Sequence, residues 1–138
     1  MPGTPAEADI AAVRGFFPGF PGARYAVLHP YPKFAYKMWR MQGWRDLAGW
    51  LADQGIQVVL TGGGDSAERD YLASLAQRFA VPPVNLCGKL SLRQTRALLA
   101  RAMLYVGPDT VTTHLAAAAG APTVALFGPS NPVKWGPW

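Results

Sequence analysis

The run Asp109-Thr110-Val111-Thr112-Thr113-His114 brings a carboxylate, hydroxyls and an imidazole together in a short stretch of chain. The apolar stretch 103–106 before it predicts a strand, and the small residues after it as far as Gly120 predict a helix, so the run falls at a helix start. As N-cap, Asp109 would accept hydrogen bonds from helix N–H groups that have no partner inside the helix. Thr110, Thr112 and Thr113 would crowd hydroxyls and amides at the positive end of the helix dipole, and such an end attracts phosphate. His114 follows about one and a half turns into the helix. Residue types alone leave a plainer reading open, in which Asp109 only caps, His114 is an ordinary helix histidine, and Leu115 to Ala119 pack against a sheet.

Positioning that run requires a strand on each side of the helix. The stretch 103–106, a Gly107-Pro108-Asp109 turn, the helix, the Gly120 stop and an apolar strand over 123–127 make a β-α-β unit. The rest of the chain repeats the alternation. Ile10, Val13 and Phe17 share one helix face, and Pro18-Gly19-Phe20-Pro21-Gly22 then breaks the pattern, so residues 1–22 read as a connector with a short helix. From 23 to 138 the pattern is one domain. A strand over 24–29 leads to a loop rich in aromatics and lysines, then a helix over 42–53 with Trp44, Leu47, Ala48 and Leu51 on one face and Gly55 as its stop. A strand over 57–60, the turn Thr61-Gly62-Gly63-Gly64-Asp65-Ser66 and a helix presenting Leu72, Leu75, Ala76 and Phe79 come next. A strand over 84–87 precedes Ser91-Leu92-Arg93-Gln94, a capping box opening a helix with Leu92, Leu98 and Leu99. Short, nearly all-apolar strands alternating with helices predict an α/β fold, a Rossmann-like parallel sheet with helices on both faces. Its ligand cleft belongs outside the carboxyl ends of the strands, where the loops 29–37, 61–66, 88–90, 107–113 and 128–135 would converge.

Composition narrows the chemistry. The chain of 138 residues is 50% hydrophobic and 15% charged, a globular balance. Lys and Arg number 13 against 8 Asp and Glu, a net charge of +5 that favours anionic partners. The cations are dispersed rather than striped, which argues against nucleic acid. No G-x-G-x-x-G follows the first strand, so an NAD-type oxidoreductase is excluded, and the Gly62–Gly64 turn lacks the Lys-Ser or Lys-Thr of a phosphate-binding loop. Those three glycines instead allow positive φ and close approach of a ligand to the backbone. No D-x-D occurs, so no metal or other cofactor is expected to hold a diphosphate. No apolar run reaches the ~18 residues of a membrane span, and acidic residues stand where a secretory signal would be basic. The single Cys87 reads as a buried thiol in a reducing compartment, and the expected location is cytoplasmic.

Gly107, Asp109, Thr110, His114, Leu115, Ala116 to Ala118, Gly120 and the run from Pro122 to Pro129, followed by Asn131, Pro132 and Trp135-Gly136-Pro137, are similar to the donor-site signature of glycosyltransferase family 9, the ADP-heptose:lipopolysaccharide heptosyltransferases. The resemblance extends over residues 25–138 and includes LHPYPKFAYKMW, VVLTGG and NLCGKLSLRQ. It implies the C-terminal, donor-binding half of a GT-B glycosyltransferase, an inverting enzyme of lipopolysaccharide core biosynthesis. Carried over by position, Lys37 would contact the diphosphate, Glu68 (or Asp65) the ribose, the Leu90 backbone the adenine, and Asp109, Thr110 and His114 the diphosphate and sugar. Val111 stands where many members have Gly, and its branched side chain would crowd the sugar; Pro108 also departs from the pattern. The resemblance places no catalytic base here: that group belongs to an N-terminal domain, which also receives the lipopolysaccharide core acceptor, so the isolated chain is expected to be inactive. Its implied partners are ADP-heptose or a related nucleotide-sugar, with peripheral contact at the inner face of the cytoplasmic membrane and no nucleic acid. The alternative function is a nucleotide-binding module without transferase activity, regulatory or vestigial.

Overall fold

A computed structural model describes residues 7–20, 22–31, 40–108, 111–126 and 133–135. The elements follow in the order α1 (Glu7–Phe16), β1 (Tyr25–Leu28), α2 (Met41–Asp53), β2 (Gln57–Leu60), α3 (Ser66–Gln77), β3 (Val84–Asn85), α4 (Leu92–Ala100), β4 (Leu104–Pro108), α5 (Val111–Ala118), β5 (Thr123–Leu126) and β6 (Val133–Trp135). The strands form one sheet in the order β3-β2-β1-β4-β5-β6. The first five are parallel, as expected from their apolar sequences, with Tyr25 level with Gln57 across β1 and β2 and Ala26 level with Leu104 across β1 and β4. The α/β, Rossmann-like class read from the sequence is the class observed.

Alternation along each strand divides the core into two layers. Tyr25 and Val27 point into a layer with Val13 of α1, Ala97, Leu98 and Leu99 of α4, and Ala116 of α5. Ala26 and Leu28 point the other way, against Trp44, Ala48 and Leu51 of α2 and Leu72 and Leu75 of α3. Residues 7–20, expected as a connector, contribute Val13, Phe17 and Phe20 to the first layer, and the Phe17 ring meets Tyr25 edge-on at 5.3 Å between centroids. The buried Tyr25 hydroxyl donates to the Leu98 carbonyl, tying β1 to α4.

Helix ends follow the sequence signals. Ser91 accepts from the Gln94 N–H at 3.2 Å while the Gln94 side chain accepts from the Ser91 N–H at 2.9 Å, which completes the capping box of α4. Gly120, at φ +87°, closes α5: its N–H donates to Ala117 and that of Ala121 to Ala116, satisfying carbonyls left free at the helix end. Gly55, at φ +75°, does the same for α2.

Three local expectations are corrected. Leu92 is 65% exposed, because the core-facing side of α4 is Ala97, Leu98 and Leu99. β4 continues past Val106, since Gly107 and Pro108 pair with Ala125 and Leu126 of β5. β6, which the sequence did not announce, adds antiparallel to β5; three residues beside Pro and Gly carry no periodic signal, and the free edge of β5 supplies the partner.

Candidate functional site

In the strand order the direction of winding reverses between β1 and β4, and in open parallel sheets ligands bind beyond the carboxyl ends at such a point. His29 lies there. Its N–H donates to the Val106 carbonyl at 2.9 Å, continuing the β1–β4 ladder, and the Thr61 N–H donates to Leu28 at 3.0 Å, continuing the β1–β2 ladder. The His29 side chain is 8% exposed, and its Nδ1 lies 2.9 Å from the Thr61 hydroxyl. Burial pushes its pKa down to about 4, so near neutral pH the ring is uncharged and joins β1 to the turn after β2.

Glu68 stands in the first turn of α3, and its carboxylate folds back over the preceding turn at Gly62 and Gly63. A Cβ at Gly62 would lie 2.8 Å from one of its carboxylate oxygens, and a Cβ at Gly63 2.9 Å from the other. None of Gly62, Gly63 and Gly64 has positive φ. The glycine run is therefore used for space rather than for its backbone freedom, and what approaches the backbone is the carboxylate of Glu68. Cys87 braces the same turn: its thiol donates to the Gly63 carbonyl at 3.1 Å, its N–H donates to Asn85 Oδ1 at 3.0 Å, and the Gly88 N–H donates to Gly62 at 2.9 Å. Gly88 takes φ +72° with Arg69 and the Gly64 backbone against it. Leu90, just before the α4 cap, is half-buried against the first core layer.

The Cys87 thiol is buried, and its pKa is raised first by that burial and further by the Glu68 carboxylate, with Arg69 acting in the opposite sense. In native buffer at pH 8 the folded chain is expected to react with a disulfide reagent at least about tenfold more slowly than the same chain in denaturant. Equal rates would show that Cys87 is neither shielded nor held as a thiol.

At the fourth carboxyl end, Val111 opens α5 and His114 is exposed one turn later. Thr113 differs from expectation. It is fully buried, and its hydroxyl lies 3.0 Å from that of Tyr105 instead of facing a ligand. Tyr31, at the start of the loop after β1, leans on Tyr71 of α3 at 5.5 Å between ring centroids. Lys37, Asp109 and Thr110 lie outside the described residues. The structure thus brings Glu68, Leu90, Val111 and His114 to the carboxyl ends of successive strands. His29, Tyr105 and the bracing role of Cys87 were not singled out in the sequence. A histidine closing an apolar strand before Pro30, and a tyrosine two residues before Gly107, were the available signals.

Two hollows lie at opposite ends of the sheet. One of about 170 Å³ lies between Arg69, Asn85, Cys87 and Lys89, beside the Glu68 turn. A larger one of about 370 Å³ opens at the opposite, amino end among Arg24, Gln57, Val81 and Pro82. Among the described residues lining it, Arg24 is the only titratable one. Among the described residues no group of His, Cys, Asp and Glu is arranged to hold a metal.

Comparison with known proteins places this arrangement. Lipopolysaccharide heptosyltransferase 3 of Escherichia coli is 33% identical over 118 residues, which cover 85% of this chain and 35% of that protein. The structure of E. coli ADP-heptose lipopolysaccharide heptosyltransferase II superposes with a TM-score of 0.79 at 27% identity, over 93% of this chain and 40% of that one. E. coli heptosyltransferase WaaC with ADP superposes with a TM-score of 0.66 at 34% identity, over 80% of this chain and 35% of that one. The chain spans about a third of the length of the curated relatives it matches. The model of glycosyltransferase family 9 (heptosyltransferase) matches residues 7–138, essentially the whole described fold, and the chain belongs to that family.

Proposed function

We propose that this chain is the donor-binding domain of an inverting glycosyltransferase, holding ADP-heptose or a related nucleotide-sugar while a hydroxyl of a lipopolysaccharide core acceptor displaces the diphosphate. The observation that carries this reading is the Glu68 carboxylate, held against Gly62 and Gly63 at the carboxyl end of β2. An acceptor-only group there suits the paired hydroxyls of a ribose. Ribose on Glu68, adenine against the Leu90 backbone and diphosphate at the start of α5 follow the strand ends across the switch point. As the glycosidic bond breaks, charge builds on the leaving phosphate oxygens. Lys37 and the first amides of α5 stabilise it, with Asp109, Thr110 and His114 holding diphosphate and sugar and Val111 bounding the space for the sugar. The base that activates the acceptor hydroxyl resides in a second domain. ADP bound to WaaC and the ADP-heptose in the name of heptosyltransferase II support the choice of nucleotide. No helix among the described residues is long and apolar enough to cross a membrane. With a lipid as acceptor, the domain works at the inner face of the cytoplasmic membrane.

Calorimetric titration of the chain with ADP and ADP-heptose, with and without EDTA, tests this. Both nucleotides should bind, and chelation should leave affinity unchanged because a helix end and a lysine take the place of an ion. Asp109→Asn should weaken ADP-heptose by about 1–2 kcal/mol at constant melting temperature, since Asn caps about as well as Asp but carries no charge. Binding lost on chelation would overturn the metal-free site. ADP binding with no response to ADP-heptose or to Asp109→Asn would favour a nucleotide-binding module without transferase function.

A further inference from the structure

Tyr105 is an anomaly among the strand residues. It is fully buried in β4, yet its side chain runs along the strand toward the carboxyl end instead of standing straight into the core. A Cβ at Gly107 would lie 2.6 Å from the Tyr105 hydroxyl oxygen and 3.0 Å from the ring carbon bearing it. The same Cβ would lie 3.1 Å from the His29 carbonyl oxygen, on the neighbouring strand at the switch point. Two residues of strand rise about 6.6 Å, close to the reach of a tyrosine, so a tyrosine lying along β4 must pass whatever side chain stands two residues ahead. Glycine leaves that path open. The ring carries its hydroxyl to the level of the site, where it meets the Thr113 hydroxyl at 3.0 Å, either group able to donate. Thr113 is in the first turn of α5 and fully buried.

We propose that Tyr105 is a positioning residue for the donor: through Thr113, and by way of the space left at Gly107, its hydroxyl sets the height and orientation of the first turn of α5. This rests on the assignment of that turn to the diphosphate. Core packing alone needs only the ring, and the other tyrosine hydroxyl of the first layer, that of Tyr25, is committed to the Leu98 carbonyl. What the hydroxyl adds to that packing is a polar tie from β4 to α5. Phosphate bound through successive N–H groups is sensitive to shifts of a few tenths of an ångström in that turn. A nucleoside lacking phosphate makes no demand on it.

The test uses Tyr105→Phe, which keeps the ring, and Thr113→Val, which keeps the shape, each titrated with ADP and with adenosine. Each is expected to weaken ADP roughly five- to tenfold, the worth of one buried hydrogen bond, while adenosine affinity is unchanged. The double variant should be no weaker than either single one, since both remove the same link. Loss of ADP affinity that is additive, or that is equal for adenosine, would overturn the proposal. So would a lowered melting temperature with ADP affinity per folded molecule intact. If the unaltered chain binds no ADP, the donor-site reading falls and this proposal with it; if the unaltered chain binds and the variants match it, this proposal falls alone.

Discussion

Between pH 6.5 and pH 4 the folded chain should lose about 2–4 kcal/mol of stability through His29 alone. The ring is 8% exposed, and burial holds its folded pKa at about 4, below the ordinary value of 6.5 that it regains on unfolding. Between those two values the unfolded chain binds a proton that the folded chain refuses. Stability is therefore complete above pH 6.5 and falls as pH drops, by at most roughly 1.4 kcal/mol per unit, levelling near pH 4. Carboxylates add their own acid sensitivity, so the informative quantity is a difference. Urea unfolding of the wild type and of His29→Asn, whose amide can still meet the Thr61 hydroxyl, should give curves that converge as pH falls from 7 to 4.5. Parallel curves across that range would mean that His29 is as free to take a proton in the fold as out of it. The consequence for the site is local, because His29 joins β1 to Thr61 and hence to the turn that seats Glu68.

Much of this site's framework was legible because its signals are local. The capping box at Ser91, the stops at Gly55 and Gly120 and the one-sided apolar faces of α2 and α3 each depend on a few adjacent residues, and each is where the sequence puts it. Glu68 was singled out from resemblance and not from physics, because an early-turn glutamate suits any helix dipole. What could not be read was whatever depends on another strand. Leu92 looks like a core residue until the packing of α4 turns the other side inward. Thr113 looks like a ligand-facing hydroxyl until Tyr105, on the preceding strand, is seen to reach it. The Gly62–Gly64 turn invites an explanation from positive φ, and only the placement of Glu68, Leu72 and Cys87 around it shows that space is what the glycines provide.

That last distinction leads to a pair of substitutions with opposite expectations for stability. At Gly62 an added Cβ would lie 2.8 Å from a Glu68 oxygen, 2.9 Å from Leu72 Cδ1 and 3.1 Å from Cys87 Sγ. The carboxylate can swing away, but Leu72 is fully buried and Cys87 is held by the Gly63 carbonyl, so Gly62→Ala should cost about 1–3 kcal/mol as an overpacked site. At Gly63 the added Cβ meets only the Glu68 carboxylate, at 2.9 Å from its nearer oxygen. The backbone there has no positive φ, so Gly63→Ala should leave stability unchanged or raise it by up to about 1 kcal/mol through the unfolded chain. Both substitutions nevertheless push Glu68 off its seat. If the carboxylate holds a ribose, both should weaken ADP roughly tenfold or more, as Glu68→Gln should, because a hydrogen bond to a charged group is lost in each. Equilibrium unfolding and ADP titration of the three variants separate the two effects. Gly63→Ala that binds ADP as the wild type does would remove Glu68 from the donor site, whatever Gly62→Ala does to the fold.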